Sequence, residues 1–158
     1  MCKSIDVAIT MINQSIDRAR SNEDDRYYMD FVKLHKLLYL GQCYIRSKYD
    51  MDLFEEDITA HHCGPVVDGL SQIPGICGFD LIKESLKPAD FGTIDMPLSY
   101  FRNETIEKVL EEFGAFTTDQ IVSKVKSTQA FSAYRSLCDS HPVLSRENII
   151  NAGNELFK

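Results

Sequence analysis

The stretch Phe31-Val-Lys-Leu-His-Lys-Leu-Leu-Tyr-Leu-Gly-Gln42 decides the fold of this chain of 158 residues. Its apolar side chains surround a helix of 3.6 residues per turn almost completely, and a helix of that kind is packed on several sides. We therefore predict a helix over Tyr28 to Lys48 whose central part, about 31–46, is buried in the middle of the domain. Gly41 lowers helix propensity by about 1 kcal/mol relative to alanine, which predicts that another backbone comes close to it.

Amphipathic helices are predicted on both sides of this stretch. Before it, a helix over Ser4 to Arg20 carries one apolar stripe, which contains Ile5, Ile9, Ile12 and Ile16. After it, residues 103–156 have apolar side chains at helical spacing. The expected caps there are Asn103, Thr117 with Gln120, and Ser145, and Gly114 is the expected helix stop. The predicted fold class is mainly α, a compact single helical domain over residues 1–158 around the central helix.

The segment between these helical parts is less regular. An acidic stretch over residues 50–57 is followed by Ile58 to Cys63, which is compatible with a β-strand, and then by Gly64-Pro65. Residues 66–70 are interpreted as one helical turn, so we expect at most a small β element near 58–67. Residues 71–100 are dense in glycine and proline and are predicted to form a long irregular surface connection, with short extended pieces around residues 79–82.

The composition predicts a cytoplasmic protein that binds other proteins. No apolar run approaches the roughly 18 residues that would cross a bilayer, and the first six residues lack the pattern of a signal peptide. Five scattered cysteines are a poor disulfide framework and fit a reducing compartment. With 24 acidic and 17 basic residues the net charge is −7. Such a chain is repelled by nucleic acid, which makes nucleic-acid binding an unfavoured function, and it is attracted to basic protein partners.

Three segments, which make up two motifs (residues 31–42 and residues 53–67), resemble the Panacea domain, the family of SocA-like antitoxins and GepA-like phage-associated proteins. Residues 31–42 are similar to its "K-L-x-K-L-L-Y-x-x-Q" helix, and Leu53-Phe-Glu-Glu-Asp-Ile58 and Ala60-His-His-Cys-Gly-Pro-Val-Val67 are similar to two later segments. The residues that match the motifs are Lys33, Leu34, Lys36, Leu37, Tyr39, Gln42, Gly64, Pro65, Val66 and Val67. The chain departs from the family pattern at His61, Cys63 and Asp68, where a tryptophan, an aromatic residue or histidine, and a proline are expected.

This resemblance implies an antitoxin that neutralises a cognate toxin by direct protein contact and is carried on prophages or other mobile elements. The implied protein has no catalytic residue, no metal and no cofactor. One alternative is a proteolytic adaptor, which delivers its toxin to a host protease, or another prophage-encoded interaction protein of the same fold. Whether the chain also forms a homodimer is left open.

Seven residues are candidates for contact with the partner: Lys33, Lys36, Glu55, Glu56, Asp57, His61 and His62. Charge alone suggests that a basic toxin docks on the acidic stretch. The stems of Lys33 and Lys36 are expected to cover apolar surface, with their amines in solvent or paired with carboxylates such as Glu55 and Glu56. A second interpretation makes the two lysines polar anchors for the partner.

A thiol- or metal-dependent hydrolase is a less favoured hypothesis. His61, His62, Cys63 and Cys77 contain no pair of ligands at the spacing that structural zinc usually requires. A nucleophilic Cys63 would need His62 in contact and a third group to orient that histidine, which neighbours in sequence seldom provide. His141-Pro142 is expected to end a helix or form a turn.

Overall fold

The helices follow one another along the chain, with two short strands between the second and the third. These elements come from a computed structural model, which describes residues 2–73, 80–93 and 97–157. The helices are α1 (Ser4–Asn22), α2 (Phe31–Tyr49), α3 (Tyr100–Phe113), α4 (Thr118–Lys126), α5 (Gln129–Ser132) and α6 (Arg146–Leu156), and the strands are β1 (Ile58–His61) and β2 (Gly64–Val67). Short 3-10 turns cover Asp25–Tyr27, Pro88–Phe91 and Arg135–Ser140. The predicted mainly α fold is confirmed.

Helix α2 lies at the centre of this arrangement, as its sequence predicts. It packs against α1, α3, α4, α6 and strand β2, and it is buried along most of its length. It begins at Phe31 and not at Tyr28, because Asp30 has an extended backbone and its carboxylate accepts a hydrogen bond from Lys33 N at 2.8 Å. That contact is a helix N-cap, which satisfies an amide left without a partner in the first turn.

Close packing against α2 occurs at two glycines. A Cβ added to Gly41 would lie 2.6 Å from Cδ2 of Leu53, so its close neighbour is a side chain and not the predicted backbone. The close backbone contact is at Gly153 in α6, where a Cβ would lie 2.3 Å from the carbonyl oxygen of Cys43. Gly153 therefore allows α6 to approach α2 more closely than any other residue type would.

Strands β1 and β2 form an antiparallel hairpin in which Ile58 pairs with Val67 and His61 pairs with Gly64. The strand predicted from Ile58 is confirmed, but the helical turn predicted over residues 66–70 is wrong. Val67 continues the ladder by pairing with Ile58, and its side chain is buried. Residues 142–144 cover the other edge of β1, where Ala60 N donates to the carbonyl of Pro142 at 2.9 Å.

The helix ends of the last third follow the expected capping chemistry with one exception. Thr117 and Gln120 form a capping box at α4, and the Ser145 side chain caps α6. Helix α3 ends at Gly114 as predicted, but its N-cap is Ser99 and not Asn103. Asn103 lies one turn inside α3, and its side chain donates to the carbonyl of Leu98 at 2.9 Å.

The described parts of residues 71–100 are mostly exposed and contain one 3-10 turn. Ile82 N donates to the carbonyl of Met29 at 2.8 Å in an isolated bridge, so an extended contact occurs at the end of the predicted 79–82 piece. Phe79 and Cys77 lie outside the described residues. Within the described residues, no helix has the length and apolar character needed to cross a membrane.

Candidate functional site around the hairpin

The two motifs that carry the family resemblance are packed directly against each other. Nδ1 of His35, in α2, accepts a hydrogen bond from the backbone N–H of Val67 at 3.0 Å. A Cβ added to Gly64 would lie 3.1 Å from Cε of Lys36, so the turn end of β2 rests on the stem of that lysine. Gly64 also has a φ of 108°, which favours glycine. The hairpin is therefore held on α2 by residues of both motifs.

Gln42 and Tyr39 fix the same helix from other sides. The Gln42 side chain is fully buried; it donates to the carbonyl of Phe54 at 3.1 Å and accepts from Leu53 N at 2.7 Å. Tyr39 is also fully buried, and its hydroxyl has no hydrogen-bond partner among the described residues. These motif residues lie inside the domain and build its core.

His35 is neutral in the folded protein. Burial, with smaller contributions from the nearby Lys36 and His61, lowers its pKa to about 4. Because Nδ1 accepts the hydrogen bond from Val67, the geometry assigns the ring proton to Nε2. Protonation of Nδ1 would break the contact between α2 and β2.

Lys33 is a buried structural cation. Its side chain is 2% exposed, and Nζ donates to the carbonyls of Arg26 at 2.8 Å and Gly114 at 2.7 Å. Burial lowers the pKa of Lys33 to about 8. The expectation that this amine reaches solvent or pairs with Glu55 or Glu56 is wrong, since it instead joins α2 to the end of α3. Because Lys33 is buried, it has no exposed surface with which to anchor a partner.

Lys36 is equally buried, at 2% exposure, but differs in its contacts. No hydrogen-bond acceptor for its Nζ is found among the described residues, so pairing with Glu55 or Glu56 is wrong here too. The buried carboxylate of Asp30 is already engaged by Lys33 N and by the Thr118 hydroxyl, each at 2.8 Å. Burial lowers the pKa of Lys36 to about 8. This lysine lies under the turn of the hairpin, and the nearby Cys63 and Asp30 partly oppose the lowering of its pKa.

The acidic stretch is partly neutralised within the protein. Asp50 and Asp52 pair with Arg146 at 2.8 and 2.7 Å, and Asp52 also pairs with Arg46 at 2.9 Å. Glu56 accepts a hydrogen bond from Ser4 N, at the start of α1, at 2.8 Å. Three of the acidic groups therefore have structural partners.

The remaining carboxylates gather at the open end of the hairpin. Glu55 and Asp57 are exposed, and Asp68 N donates to the carbonyl of Asp57 at 3.0 Å, which brings these two aspartates side by side. Desolvation raises the pKa of Asp68, and the neighbouring carboxylates of Asp57 and Glu56 add to this. We call Glu55, Asp57 and Asp68 the acidic end of the hairpin.

The turn end of the hairpin carries histidines instead. The ring of His61 stacks on that of His141 with centroids 3.8 Å apart, and His62 Nε2 lies 2.6 Å from Oδ1 of Asp139. With His35 below, all four histidines of the chain lie at the hairpin. Sequence reasoning missed the roles of His141 and Asp139, because a left-handed turn at His141 brings them here from almost 80 residues away.

A thiol nucleophile at Cys63 would need a histidine in contact with it and a third group that orients this histidine. Asp139 contacts His62 and could orient it, but the contact between His62 and Cys63 is missing among the described residues. Among the described residues no hydrogen bond joins Cys63 to His62, and the side chains of His62 and Asp139 are 68% and 94% exposed. An exposed contact of this kind contributes little to stability. In the described ranges, no three His, Cys, Asp or Glu side chains are grouped closely enough to hold a metal ion.

A pocket of about 430 Å³ lies beside the turn, between the hairpin and the segment after α4. Its lining residues are His62, Lys126, Phe131, Arg135 and Cys138, and we call it the hairpin pocket. Arg135 Nη2 donates to the backbone carbonyl of Lys126 at 2.9 Å, which holds the Arg135 guanidinium against the last residue of α4. The hairpin thus has an acidic end, and its turn end lies beside the cations of α4 and of the 3-10 turn after α5.

Comparison with models of known protein families, with characterised proteins and with solved structures gave no match for this chain. The resemblance to the Panacea domain consequently rests on the two sequence motifs alone.

Proposed function

We propose that this chain is a Panacea-type antitoxin, a cytoplasmic protein-binding module that neutralises a cognate toxin by direct contact and carries out no reaction itself. The packing of its two motifs against each other supports this most strongly. Residues similar to the family pattern form the contact between α2 and the hairpin, as expected where a resemblance reports a shared fold. Because the motif residues are buried, proteins that share these motifs can have different surfaces and bind different partners.

The acidic end of the hairpin is the proposed docking surface for a basic toxin. Its carboxylates are exposed, and those of Asp57 and Asp68 are close together, so they produce a local negative potential on a chain that is already acidic. Complementary charge increases the rate of association and selects the partner. A stable interface of roughly 1,600 Å² would extend well beyond these residues.

Co-expression with the product of the neighbouring gene tests the function. We expect growth rescue together with co-purification of the two proteins. Rescue that disappears in a protease-deficient host would replace stoichiometric blocking with proteolytic delivery. Absence of both rescue and co-purification would refute the antitoxin proposal.

Charge reversal tests the docking surface. Glu55→Lys with Asp57→Lys should weaken toxin binding by about tenfold or more at low salt, because close charge pairs across an interface contribute 1.5 kcal/mol or more. Glu56 is left unchanged because it caps α1. The matched control is Glu107→Lys with Glu111→Lys, which changes the charge equally at exposed positions of α3. Equal affinities of the two double variants would contradict the assignment.

A further inference from the structure

Residues 142–144 form a short extended segment along the edge of β1 that β2 does not cover. Ala60 N donates to the carbonyl of Pro142 at 2.9 Å, and Leu144 N donates to the carbonyl of Ile58 at 2.8 Å. An unpaired strand edge is a template on which another extended chain can pair. The segment therefore covers backbone groups of β1 that would otherwise be open to such pairing.

Two stacked histidines lie at the point where this segment begins. The ring centroids of His61, the last residue of β1, and of His141 are 3.8 Å apart, and the ring planes differ by 23°. Nε2 of His61 lies 2.9 Å from Oγ1 of Thr59, which fixes the orientation of the ring. His141 has a φ of 47°, a left-handed conformation that residues other than glycine adopt at a cost. The stack thus joins β1 to the turn that leads into residues 142–144.

The charges around the stack favour its neutral form. The titratable groups that face His61 come from α2, from the hairpin and from the turn at His141: His35, Lys36, His62, Asp68 and His141. Burial, followed by His141 and Lys36, lowers the pKa of His61, whereas Asp68 acts in the opposite direction. The carboxylate of Asp139 is paired with His62, at 2.6 Å.

We propose that the stack of His61 on His141 is a pH-sensitive switch that controls the attachment of residues 142–144 to β1. Histidine is the side chain whose charge ordinarily changes between about pH 5 and 8. Two protonated rings at the observed separation repel each other, and the ammonium of Lys36 repels them as well. The attached form therefore binds fewer protons than the open form, and a fall in pH through this range shifts the equilibrium towards the open form.

Opening would change what the hairpin offers to other molecules. It would free the N–H of Ala60 and the carbonyl of Ile58 on the edge of β1, and it would expose the buried side chain of Leu144. The switch goes beyond the antitoxin proposal and does not depend on it, because it can be measured on the purified chain without a toxin. Its failure would leave the antitoxin proposal untouched, and the reverse also holds.

Hydrogen exchange of the full chain, followed by NMR at pH 7 and pH 5.5, tests the switch. After correction for intrinsic exchange rates, we expect the protection factors of the Ala60 and Leu144 amides to fall by about fivefold or more at the lower pH, since both rings have to lose a proton before the segment attaches. The amide of Leu38, in the middle of α2, reports opening of the whole domain and should fall by less. An equal fall at all three amides would overturn the proposal.

Variants of the stack separate its effect from other acid-sensitive contacts. His141→Asn removes one titrating ring and introduces a residue that tolerates the left-handed conformation. The extra fall at Ala60 and Leu144 should then largely disappear, and His61→Gln, which removes the other ring, should have the same effect. His62→Asn is the matched control, because this exposed histidine belongs to the same turn but not to the stack, and it should respond as the wild type does. A wild-type response in both His141→Asn and His61→Gln would also overturn the proposal.

Discussion

At the scale of the residue, burial alone does not define the role of a charged side chain. Lys33 and Lys36 have the same exposure, and burial lowers the pKa of both to about 8. Their contacts separate them, because one ammonium satisfies two carbonyls and the other has no acceptor among the described residues. The sequence shows two lysines at helical spacing and cannot distinguish these cases, since the carbonyls that bind Lys33 come from a 3-10 turn and from the end of α3.

The two lysines should therefore respond in opposite ways to replacement by methionine. Lys33→Met leaves two carbonyls without a donor and should lower the free energy of unfolding by about 2–4 kcal/mol. Lys36→Met removes a largely buried cation that makes no hydrogen bond among the described residues, and it should leave that free energy unchanged or raise it. Urea unfolding at pH 7 in buffer without phosphate measures both. Equal destabilisation by the two substitutions would contradict the distinction.

At the scale of the element, the hairpin is fastened to α2 by a neutral histidine. His35 has a pKa of about 4 in the folded chain and about 6.5 when unfolded. The unfolded chain therefore binds more protons between these values, and stability rises with pH across this window. The contribution of His35 is complete above pH 6.5 and is lost as the pH falls towards 4.

Acid unfolding of a His35 variant checks this contribution. In His35→Asn the amide oxygen can replace Nδ1 as an acceptor but does not titrate. We expect the loss of stability between pH 6.5 and 4 to be smaller than in the wild type by up to about 3 kcal/mol. His62→Asn, at an exposed position, serves as the control and should retain the wild-type dependence. A His35→Asn profile parallel to that of the wild type would show that His35 is not held neutral.

Helix α6 depends on close backbone approach to α2. Gly153→Ala gains about 1 kcal/mol of helix propensity, but its Cβ would lie 2.3 Å from the carbonyl oxygen of Cys43 and 2.5 Å from Oγ of Ser47. We expect a net destabilisation of about 1–3 kcal/mol, since a packed interface can relax only by moving apart. Asn151→Ala, at an exposed position of the same helix, should be neutral or stabilising. Thermal unfolding of both variants measures this, and a stabilised Gly153→Ala protein would contradict the close contact.

At the scale of the whole molecule, the pattern of residues predicts the core better than the surface. The apolar circumference of residues 31–46 correctly predicts the central helix, and short-range cap chemistry predicts the ends near Thr117 and Ser145. Of the hairpin, strand β1 was predicted and strand β2 was not. Val66 and Val67 are compatible in sequence with a strand or with a helical turn, and their pairing with β1 makes them a strand. The hairpin pocket was not predicted, since Lys126, Arg135 and Asp139 approach His62 only through the path of the chain after α4.

The proposed docking surface lies at one end of one small element. The acidic end carries exposed carboxylates that can meet a basic partner, whereas the cations of the hairpin pocket, Lys126 and Arg135, belong to α4 and to the 3-10 turn after α5. Because α2 holds the hairpin through buried contacts, both ends are presented on a rigid base. Rigid presentation reduces the entropy lost on binding and favours a specific interface.

The central claim is that this chain neutralises a toxin by stoichiometric contact. The most direct measurement is a titration of the purified chain into a fixed amount of the neighbouring gene's purified product, with no protease present and with the activity of that product as the readout. We predict that inhibition increases linearly and becomes complete at a fixed molar ratio. Full toxin activity at a large molar excess of the chain would contradict the claim.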